Sequence, residues 1–258
     1  MPGIYVMAPI TMALSAVFWG GMIYFFSGRA KRYLYLLVLG LPLTWIMNLG
    51  LKPTAALLLG RITNIPPGQG LSNLPAWFLF SLFMLTPILE ELIKVTPLLV
   101  PRVSRLIEDR ASAFWAGLAL GISFGVGEAA FVAYGVAQIP EYASLPWYAL
   151  TGYASERFMI CLWHGVMTSI FVMGLQRGGG WRVIGYLGAV ALHALGNAAP
   201  MLAGLGYIPS WVASVSITGI FILAAYLFER LRRQVSRGSP TRESAREVVY
   251  FTRKGDSR

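Results

Sequence analysis

Four ionisable residues lie inside two stretches of the chain that are otherwise apolar enough to cross a lipid bilayer. The first stretch reads PILEELIKVTPLLV and the second reads SAFWAGLALGISFGVGEAAF. The four residues are Glu90, Glu91, Lys94 and Glu128. One charged side chain at mid-membrane costs about 2.5–3.5 kcal/mol, so four cost roughly 10 kcal/mol before any pairing. Because ionisable residues in membrane segments are functional by default, the pattern indicates chemistry inside the membrane.

The only two histidines, His164 and His193, also fall inside apolar stretches. Asn197 follows His193 by four residues, so the two side chains share one face of a helix. Two imidazoles and one carboxylate are a common ligand set for catalytic zinc, which keeps an open position for water. A further glutamate could accept a proton from that water as a general base. The spacing alone does not establish this metal site, because the ligands would come from separate segments and the chain has no HExxH motif.

The charges of these residues do not balance within the predicted cluster. Glu90 precedes Lys94 by four residues, the order that favours an ion pair on a helix. Three carboxylates and one lysine leave two negative charges uncompensated if all four groups are ionised. Such a cluster must take up protons or bind a cation. The structural alternative is that one glutamate neutralises Lys94 and that the histidines are hydrogen-bonded packing residues.

The composition of the 258 residues indicates an integral membrane protein. Hydrophobic residues make up 56% of the chain and charged residues only 12%, whereas soluble domains carry about 25% charged residues. A membrane-spanning helix needs about 20 apolar residues. The sequence therefore predicts an all-α, polytopic membrane protein with about seven transmembrane helices. They lie near residues 4–26, 34–57, 74–100, 112–137, 155–175, 183–203 and 208–229.

The basic residues fix an orientation for these helices. Of the 21 Lys and Arg residues, 17 fall in alternate loops and in the C-terminal tail, and Lys94 lies within a helix. By the positive-inside rule, the N-terminus is outside and the C-terminus cytoplasmic, in the plasma membrane. We expect a transmembrane domain over 1–230 and a basic, disordered tail over 231–258 that meets anionic lipid head groups. This distribution explains the net charge of +10 without nucleic acid as a partner.

A repeat of small residues marks the predicted fourth helix. Gly117, Gly121 and Gly125 are spaced four residues apart, which lets a neighbouring helix approach closely. A phosphate-binding glycine motif would follow a strand, and the sequence predicts none there. We interpret the three glycines as a packing surface between helices.

Four motifs occur in order on the predicted helices, and together they resemble the PrsW family of intramembrane metalloproteases. The motifs are EELIK (Glu90–Lys94), FGVGE (Phe124–Glu128), a histidine in the next helix (His164) and HALGN (His193–Asn197). The resemblance covers roughly residues 80–200 and includes the stretch ERFMICLWHGV. The last motif departs from the family pattern, because Asn197 stands where these proteins often have aspartate.

The resemblance implies a protease site made from six residues. These are Glu90, Glu91, Glu128, His164, His193 and Asn197. One glutamate of EELIK would activate water, and Glu128, His164 and His193 would bind a divalent metal, expected to be zinc, or stabilise the oxyanion. Asn197 would orient the substrate or help to polarise its carbonyl group. Family members are linked to cleavage of membrane-bound anti-sigma factors, so the expected substrate is a membrane protein or its juxtamembrane segment.

Three other functions stay open at the level of sequence. The first is a non-catalytic membrane scaffold, like the related subunit of gamma-secretase, with the polar residues serving helix packing. The second is a CAAX prenyl protease, which the motifs favour less. Those enzymes have EExxxR and FxxxH, whereas Lys94 comes one position earlier here and Glu128 replaces the histidine. The third is an ion-coupled transporter, although the sequence has no inverted repeat of broken helices.

Overall fold

The computed structural model describes residues 2–27, 31–65 and 73–237 of the chain. Within these residues, seven helices are long and apolar enough to cross a membrane, which confirms the predicted class and number. They are α1 (Ile4–Phe26), α2 (Arg32–Ile62), α3 (Ala76–Lys94), α4 (Arg110–Val136), α5 (Thr151–Arg177), α6 (Trp181–Gly204) and α7 (Ser210–Arg237). Short helical turns at Thr96–Leu99, Pro101–Ser104, Pro140–Ala143 and Trp147–Leu150 lie in the connections.

Helices α4 and α5 form the centre of the bundle, and the glycine repeat explains how they pack. Most residues of these two helices are buried, whereas fewer than half are buried in each of the other five spans. A Cβ atom built on Gly117 would lie 2.6 Å from the Ser169 Cα atom, and one built on Gly125 would lie 2.9 Å from the Cys161 Cα atom. Only glycine permits this approach of the two backbones, so the predicted packing surface is confirmed.

The ends of the central helices follow from local sequence. Asp109 caps α4, because its carboxylate accepts a hydrogen bond from the Ser112 backbone N–H at 2.7 Å. In return, the Ser112 hydroxyl accepts one from the Asp109 N–H at 2.8 Å. Helix α5 ends at Gly178, whose φ of 78° lies in the left-handed region that glycine adopts freely. Both ends lie on the same side of the bundle, since α4 begins there and α5 returns to it.

Helix α2 is the most irregular span. It consists of the pieces Lys31–Leu34, Leu36–Leu39, Leu41–Trp45, a π-helical turn at Ile46–Leu51 and Lys52–Ile62. Two hydrogen bonds hold its first half against α4: the Ser123 hydroxyl donates to the Leu37 carbonyl at 2.5 Å, and the Thr44 hydroxyl donates to the Phe124 carbonyl at 2.9 Å. The π-helical turn and the last helical piece, Lys52–Ile62, follow this anchored half.

The C-terminal boundary predicted at residue 231 needs correction. Helix α7 continues to Arg237, so residues 231–237 are helical and not disordered. Arg232 and Arg233 both bond to Glu229, at 2.7 Å and 2.6 Å, and ion pairs at this spacing support a helix. The remainder of the predicted tail, residues 238–258, lies outside the described residues. The Pro- and Gly-rich sequence around Thr63–Asn73 predicts an irregular loop before α3, and most of it, residues 66–72, lies outside the described residues as well.

Candidate functional site

Polar side chains from α2 to α6 meet in one cluster near the middle of the bundle. His164 lies 13 residues after the start of α5 and 13 before its end. At 1.5 Å per residue, each end is about 20 Å away along the helix. Five ionisable residues of the cluster are at most 2% exposed: Glu90, Glu91, Lys94, His164 and His193. The structure thus brings together the residues that the sequence places on separate helices.

Glu91 and Lys94 form the tightest pair of the cluster. The Lys94 ammonium donates to Glu91 Oε1 at 2.5 Å and to His164 Nδ1 at 2.7 Å. It also lies 4.7 Å from the centre of the Phe124 ring. The predicted ion pair between Glu90 and Lys94 is therefore wrong. His164 and Phe124 hold the ammonium beside Glu91, which precedes Lys94 by three residues, and not beside Glu90, which precedes it by four.

His164 links this pair to Glu128 on α4. Gly125 makes the link possible, because it brings α4 and α5 together and leaves His164 free to reach past its backbone. The His164 Nε2 atom lies 3.0 Å from Glu128 Oε2, and Arg157 Nη1 donates to the same oxygen at 3.1 Å. Arg157 also binds Glu156 Oε1 at 2.6 Å. Every charged group at this end of the cluster has a partner.

Glu90 lies at the other end of the cluster and is only partly bonded. Its Oε1 atom forms an ion pair with Lys52, whose ammonium also donates to Asn48 Oδ1 at 2.8 Å. Its Oε2 atom lies 3.6 Å from His193 Nε2, which is too long for a hydrogen bond. Oε2 of Glu90 and Oε2 of Glu91 are both buried without a hydrogen-bond partner. Buried carboxylate oxygens are rarely left unpaired, so these two point to a missing water, ion or substrate.

The hydrogen bonds assign different states to the two histidines. The Lys94 ammonium has only donors, so His164 Nδ1 must accept, and its Nε2–H donates to Glu128. His193 Nδ1 lies 2.7 Å from Glu91 Oε1 and must donate to that carboxylate. In the neutral ring, the lone pair on His193 Nε2 then points toward Glu90. His164 is fully bonded, whereas His193 has one nitrogen available.

The charges of the cluster balance better than the sequence predicts. Lys52 and Arg157 reach in from α2 and α5 and pair with Glu90 and Glu128. With Lys94, three cations face four carboxylates, because Glu156 also bonds Arg157, so the predicted excess of two negative charges falls to one. The sequence pattern does not show these two pairs, because each long basic side chain reaches a carboxylate on another helix, Lys52 from α2 and Arg157 from α5.

A buried group of three residues could hold a metal ion. Glu90, His164 and His193 each offer one ligand atom, and these atoms all lie within 4.8 Å of one another. Glu90 Oε2 and His193 Nε2 have free lone pairs, so they fit a cation without rearrangement. His164 must first release Lys94 or Glu128. This group contains Glu90 in the place where the sequence predicts Glu128, and a ligand role for Glu128 stays a prediction.

Asn197 lies one turn beyond His193 on α6 but outside the hydrogen-bonded cluster. Its side chain has no hydrogen bond within the described ranges, and it lines a groove of about 460 Å³ between α3 and α6. Thr86, one turn before Glu90 on α3, lines the same groove. The remaining walls are mainly apolar: Leu79, Leu82, Phe83, Pro200, Met201 and Leu205. The groove therefore adjoins the open end of the cluster.

Sequence reasoning missed four residues of the cluster. They are Asn48, Lys52, Glu156 and Arg157. Two signals could have found them. Lys52 lies within a predicted apolar span, four residues after Asn48, and Arg157 opens the segment that resembles the Arg-to-His stretch of the family.

Comparisons of the chain with models of known protein families, with curated proteins and with solved structures found no match. The order of the motifs and the geometry of the cluster are the grounds on which a function can be argued.

Proposed function

We propose that this protein is an intramembrane protease that hydrolyses peptide bonds of membrane-associated proteins with a glutamate-activated water. One observation carries the proposal: Glu90 is buried near the end of α3 with one oxygen held by Lys52 and the other unbonded beside the free nitrogen of His193. A carboxylate in this state can accept a proton from water, which is the task of a general base. The order of motifs, which resembles the PrsW family, supports the same chemistry.

The residues take distinct parts in this proposal. Glu90 is the base that accepts the proton from water. His193 Nε2 lies 3.6 Å from Glu90 Oε2 and is positioned to bind the same water. Glu91 and Lys94 are positioning residues, because they fix the ring of His193 and the ring of His164 through short hydrogen bonds. Zinc, the metal we propose for the group of Glu90, His164 and His193, would supply a Lewis acid for the substrate carbonyl. If Glu90 served as a ligand of that metal, the unbonded Oε2 atom of Glu91 would take over the role of base.

The groove between α3 and α6 supports a membrane-embedded substrate. Its walls are mainly apolar, as a transmembrane or juxtamembrane segment requires, and its two polar residues lie one turn from the open end of the cluster. Asn197 has no partner within the described residues, so its amide is free to bind the backbone of a substrate. We therefore assign Asn197 to orienting the substrate. By the resemblance, an anti-sigma factor in the plasma membrane is an example of such a substrate.

A non-catalytic scaffold is the second candidate, and the charge balance of the cluster favours it. Each of the three central carboxylates pairs with a basic side chain, so most of the charge is neutralised without a metal or a substrate. The unbonded oxygens of Glu90 and Glu91 favour the protease instead, because a reacting water or a metal ion would use them. The two candidates differ in one measurable property, which is the appearance of cleaved membrane proteins.

The experiment compares new protein N-termini in membranes from cells that express the wild-type chain or the Glu90→Gln variant. Gln keeps the shape of Glu but cannot accept the proton. We expect a set of cleavage sites within or beside transmembrane segments that is present with the wild type and at least ~100-fold reduced with the variant. Glu229→Gln, at an exposed ion pair of α7, is the matched control and should retain cleavage. Identical N-termini from wild type and Glu90→Gln, both folded, would leave the scaffold as the function.

We also propose that the N-terminus faces outside and that the basic loops face the cytoplasm. Among the described residues, Arg102, Arg105, Arg110, Arg177 and Arg182 all lie at one end of the bundle, where the positive-inside rule places the cytoplasm. A membrane-impermeant thiol reagent tests this, because the single native Cys161 is buried. Asn73→Cys should label in intact cells and Arg102→Cys only after lysis. The reverse pattern would invert the orientation.

A further inference from the structure

A second groove lies at the end of the bundle where α4 begins, α5 ends and α6 begins. Its volume is about 540 Å³, within the range of about 300–1,000 Å³ that is typical of small-molecule sites. Ile170, Ile184 and Leu231 line its apolar part, and Arg110 and Arg177 stand at its rim. The groove thus combines an apolar floor with a basic edge at the boundary of four membrane spans, α4 to α7.

Within the described residues, the basic edge has no acidic partner. Arg110 and Arg177 are exposed, and neither lies within ion-pair distance of a carboxylate in the described residues. Arg110 donates to Gln234 Oε1 at 3.1 Å, and the Arg177 guanidinium stacks 3.6 Å from the centre of the Trp181 ring. Tryptophan favours the level of the lipid head groups. The edge therefore presents two positioned cations at the depth where lipid phosphates lie.

Two glycines of α6 shape the floor. Gly185 faces Gly174 of α5, and a Cβ atom built on Gly185 would lie 3.0 Å from the Gly174 Cα atom, so this glycine serves close packing. Gly188 differs, because a Cβ atom there would meet only the Ile170 side chain, at an ordinary distance of 3.7 Å. The missing side chain of Gly188 leaves space that no neighbouring helix fills.

We propose that this groove binds one anionic phospholipid. The phosphate is held by Arg110 and Arg177, which can form charge-assisted hydrogen bonds to it. An acyl chain lies along Ile170, Ile184 and Leu231 over Gly188. Charge complementarity selects the anionic head group, and the apolar floor selects a lipid over a free phosphate ion. This site is built from the folded bundle and is separate from the predicted attraction of the C-terminal tail to lipid.

The test is native mass spectrometry of the full-length protein with phosphatidylglycerol and phosphatidylcholine of identical acyl chains. We expect one tightly retained phosphatidylglycerol per chain. Each arginine contributes about fivefold, equivalent to about 1 kcal/mol for a basic residue near the membrane surface. Arg110→Gln together with Arg177→Gln should therefore weaken phosphatidylglycerol by about 25-fold and leave phosphatidylcholine unchanged. The matched control is Arg182→Gln, because Arg182 is exposed at the same end of the bundle but does not line the groove.

A second variant tests the floor independently of charge. Gly188→Leu fills the groove and should reduce retention of phosphatidylglycerol at least tenfold, whereas Gly188→Ala should have little effect. Thermal unfolding of both variants reports whether the fold is kept. The proposal fails if Arg182→Gln weakens phosphatidylglycerol as much as the rim variants do, since binding would then depend on general surface charge. It also fails if folded Gly188→Leu retains the lipid as the wild type does.

Discussion

The two histidines of the buried cluster differ in how completely they are bonded. Both rings are 2% exposed, and both lie beside a glutamate. His164 is held at both nitrogens, by Lys94 at 2.7 Å and by Glu128 at 3.0 Å. His193 is held at Nδ1 by Glu91 at 2.7 Å, and its Nε2 atom faces an unbonded oxygen of Glu90. The cluster therefore has a closed end around His164 and an open end around His193.

This difference separates residues that hold the cluster from residues available for chemistry. At the closed end, both nitrogens of His164 are bonded and each charged group has a partner, so a substitution there should mainly reduce stability. At the open end, free lone pairs remain after folding, so a substitution there should mainly reduce activity or metal binding. Glu90 and Glu91 make the sharpest contrast, since they are adjacent in sequence and have the same side chain.

The largest effect is expected for Glu91→Gln. The variant leaves the fully buried Lys94 ammonium without its anion, and such a loss costs about 3–5 kcal/mol. Unfolding of the purified protein in detergent should show this decrease in stability, whereas Glu90→Gln should unfold within about 1 kcal/mol of the wild type, because Lys52 remains partly exposed to solvent or lipid head groups. The double variant Glu91→Gln with Lys94→Met should recover most of the loss. A double variant no more stable than Glu91→Gln alone would contradict the closed-end interpretation.

The next effect concerns the metal. We expect about one divalent metal ion per chain in elemental analysis of the purified protein, and loss of one ligand should weaken it by at least ~100-fold, beyond the 10–100-fold of outer-shell changes. His193→Ala and Glu90→Gln should both remove the ion. Glu128→Gln is the control, since its carboxylate belongs to the closed end. Loss of metal from Glu128→Gln but not from Glu90→Gln would instead support Glu128, His164 and His193 as ligands.

Glu128→Gln should have a smaller effect on stability than Glu91→Gln. Its side chain is 18% exposed, and Arg157 keeps its bond to Glu156 after the substitution. We expect a decrease of about 1–2 kcal/mol in the free energy of unfolding, near the lower range for a hydrogen bond to a charged group. Glu156→Gln provides the comparison at the same arginine. If Glu128→Gln destabilised the protein as strongly as Glu91→Gln, the two ends of the cluster would share the structural role.

Asn197→Ala is expected to have the smallest effect, and only on substrate handling. The amide makes no hydrogen bond in the described residues, so its removal should leave the unfolding temperature unchanged. Loss of one net hydrogen bond of about 1 kcal/mol to the substrate should raise KM about fivefold. Thr86→Val, on the opposite wall of the groove, is the matched variant. A change in kcat with constant KM would reassign Asn197 to the reacting carbonyl group.

The sequence predicts the spans of this protein well because hydrophobic length is a local property. All seven segments lie where the apolar stretches place them, and the glycine repeat of α4 packs on α5 as expected. The end of α7 was less predictable, since a polar sequence such as that after Leu231 can be helical or disordered. There, ion pairs to Glu229 extend the helix to Arg237.

The sequence predicts which acids and histidines make up the site, but it does not predict which of them bond to one another. Whether Lys94 pairs with Glu90 or Glu91 depends on where α5 presents His164, and this is a tertiary property. Likewise, Lys52 and Arg157 lie on different helices from the carboxylates Glu90 and Glu128 that they bind. Their side chains point inward because buried carboxylates on other helices attract them. Spacing along one helix carries no information about such contacts.

The π-helical turn of α2 makes the charge of the site depend on a count of residues. Its first half is fastened to α4 at Leu37 and Thr44, and Lys52 follows directly after the turn. Each residue rotates a helix by about 100°. Deleting one residue between 46 and 51 would therefore turn Lys52 by about that angle away from Glu90. The Glu90 carboxylate on α3 would then lose its ion pair although neither Glu90 nor Lys52 had been substituted. The charge balance around α3 thus depends on the rotation of α2 about its own axis.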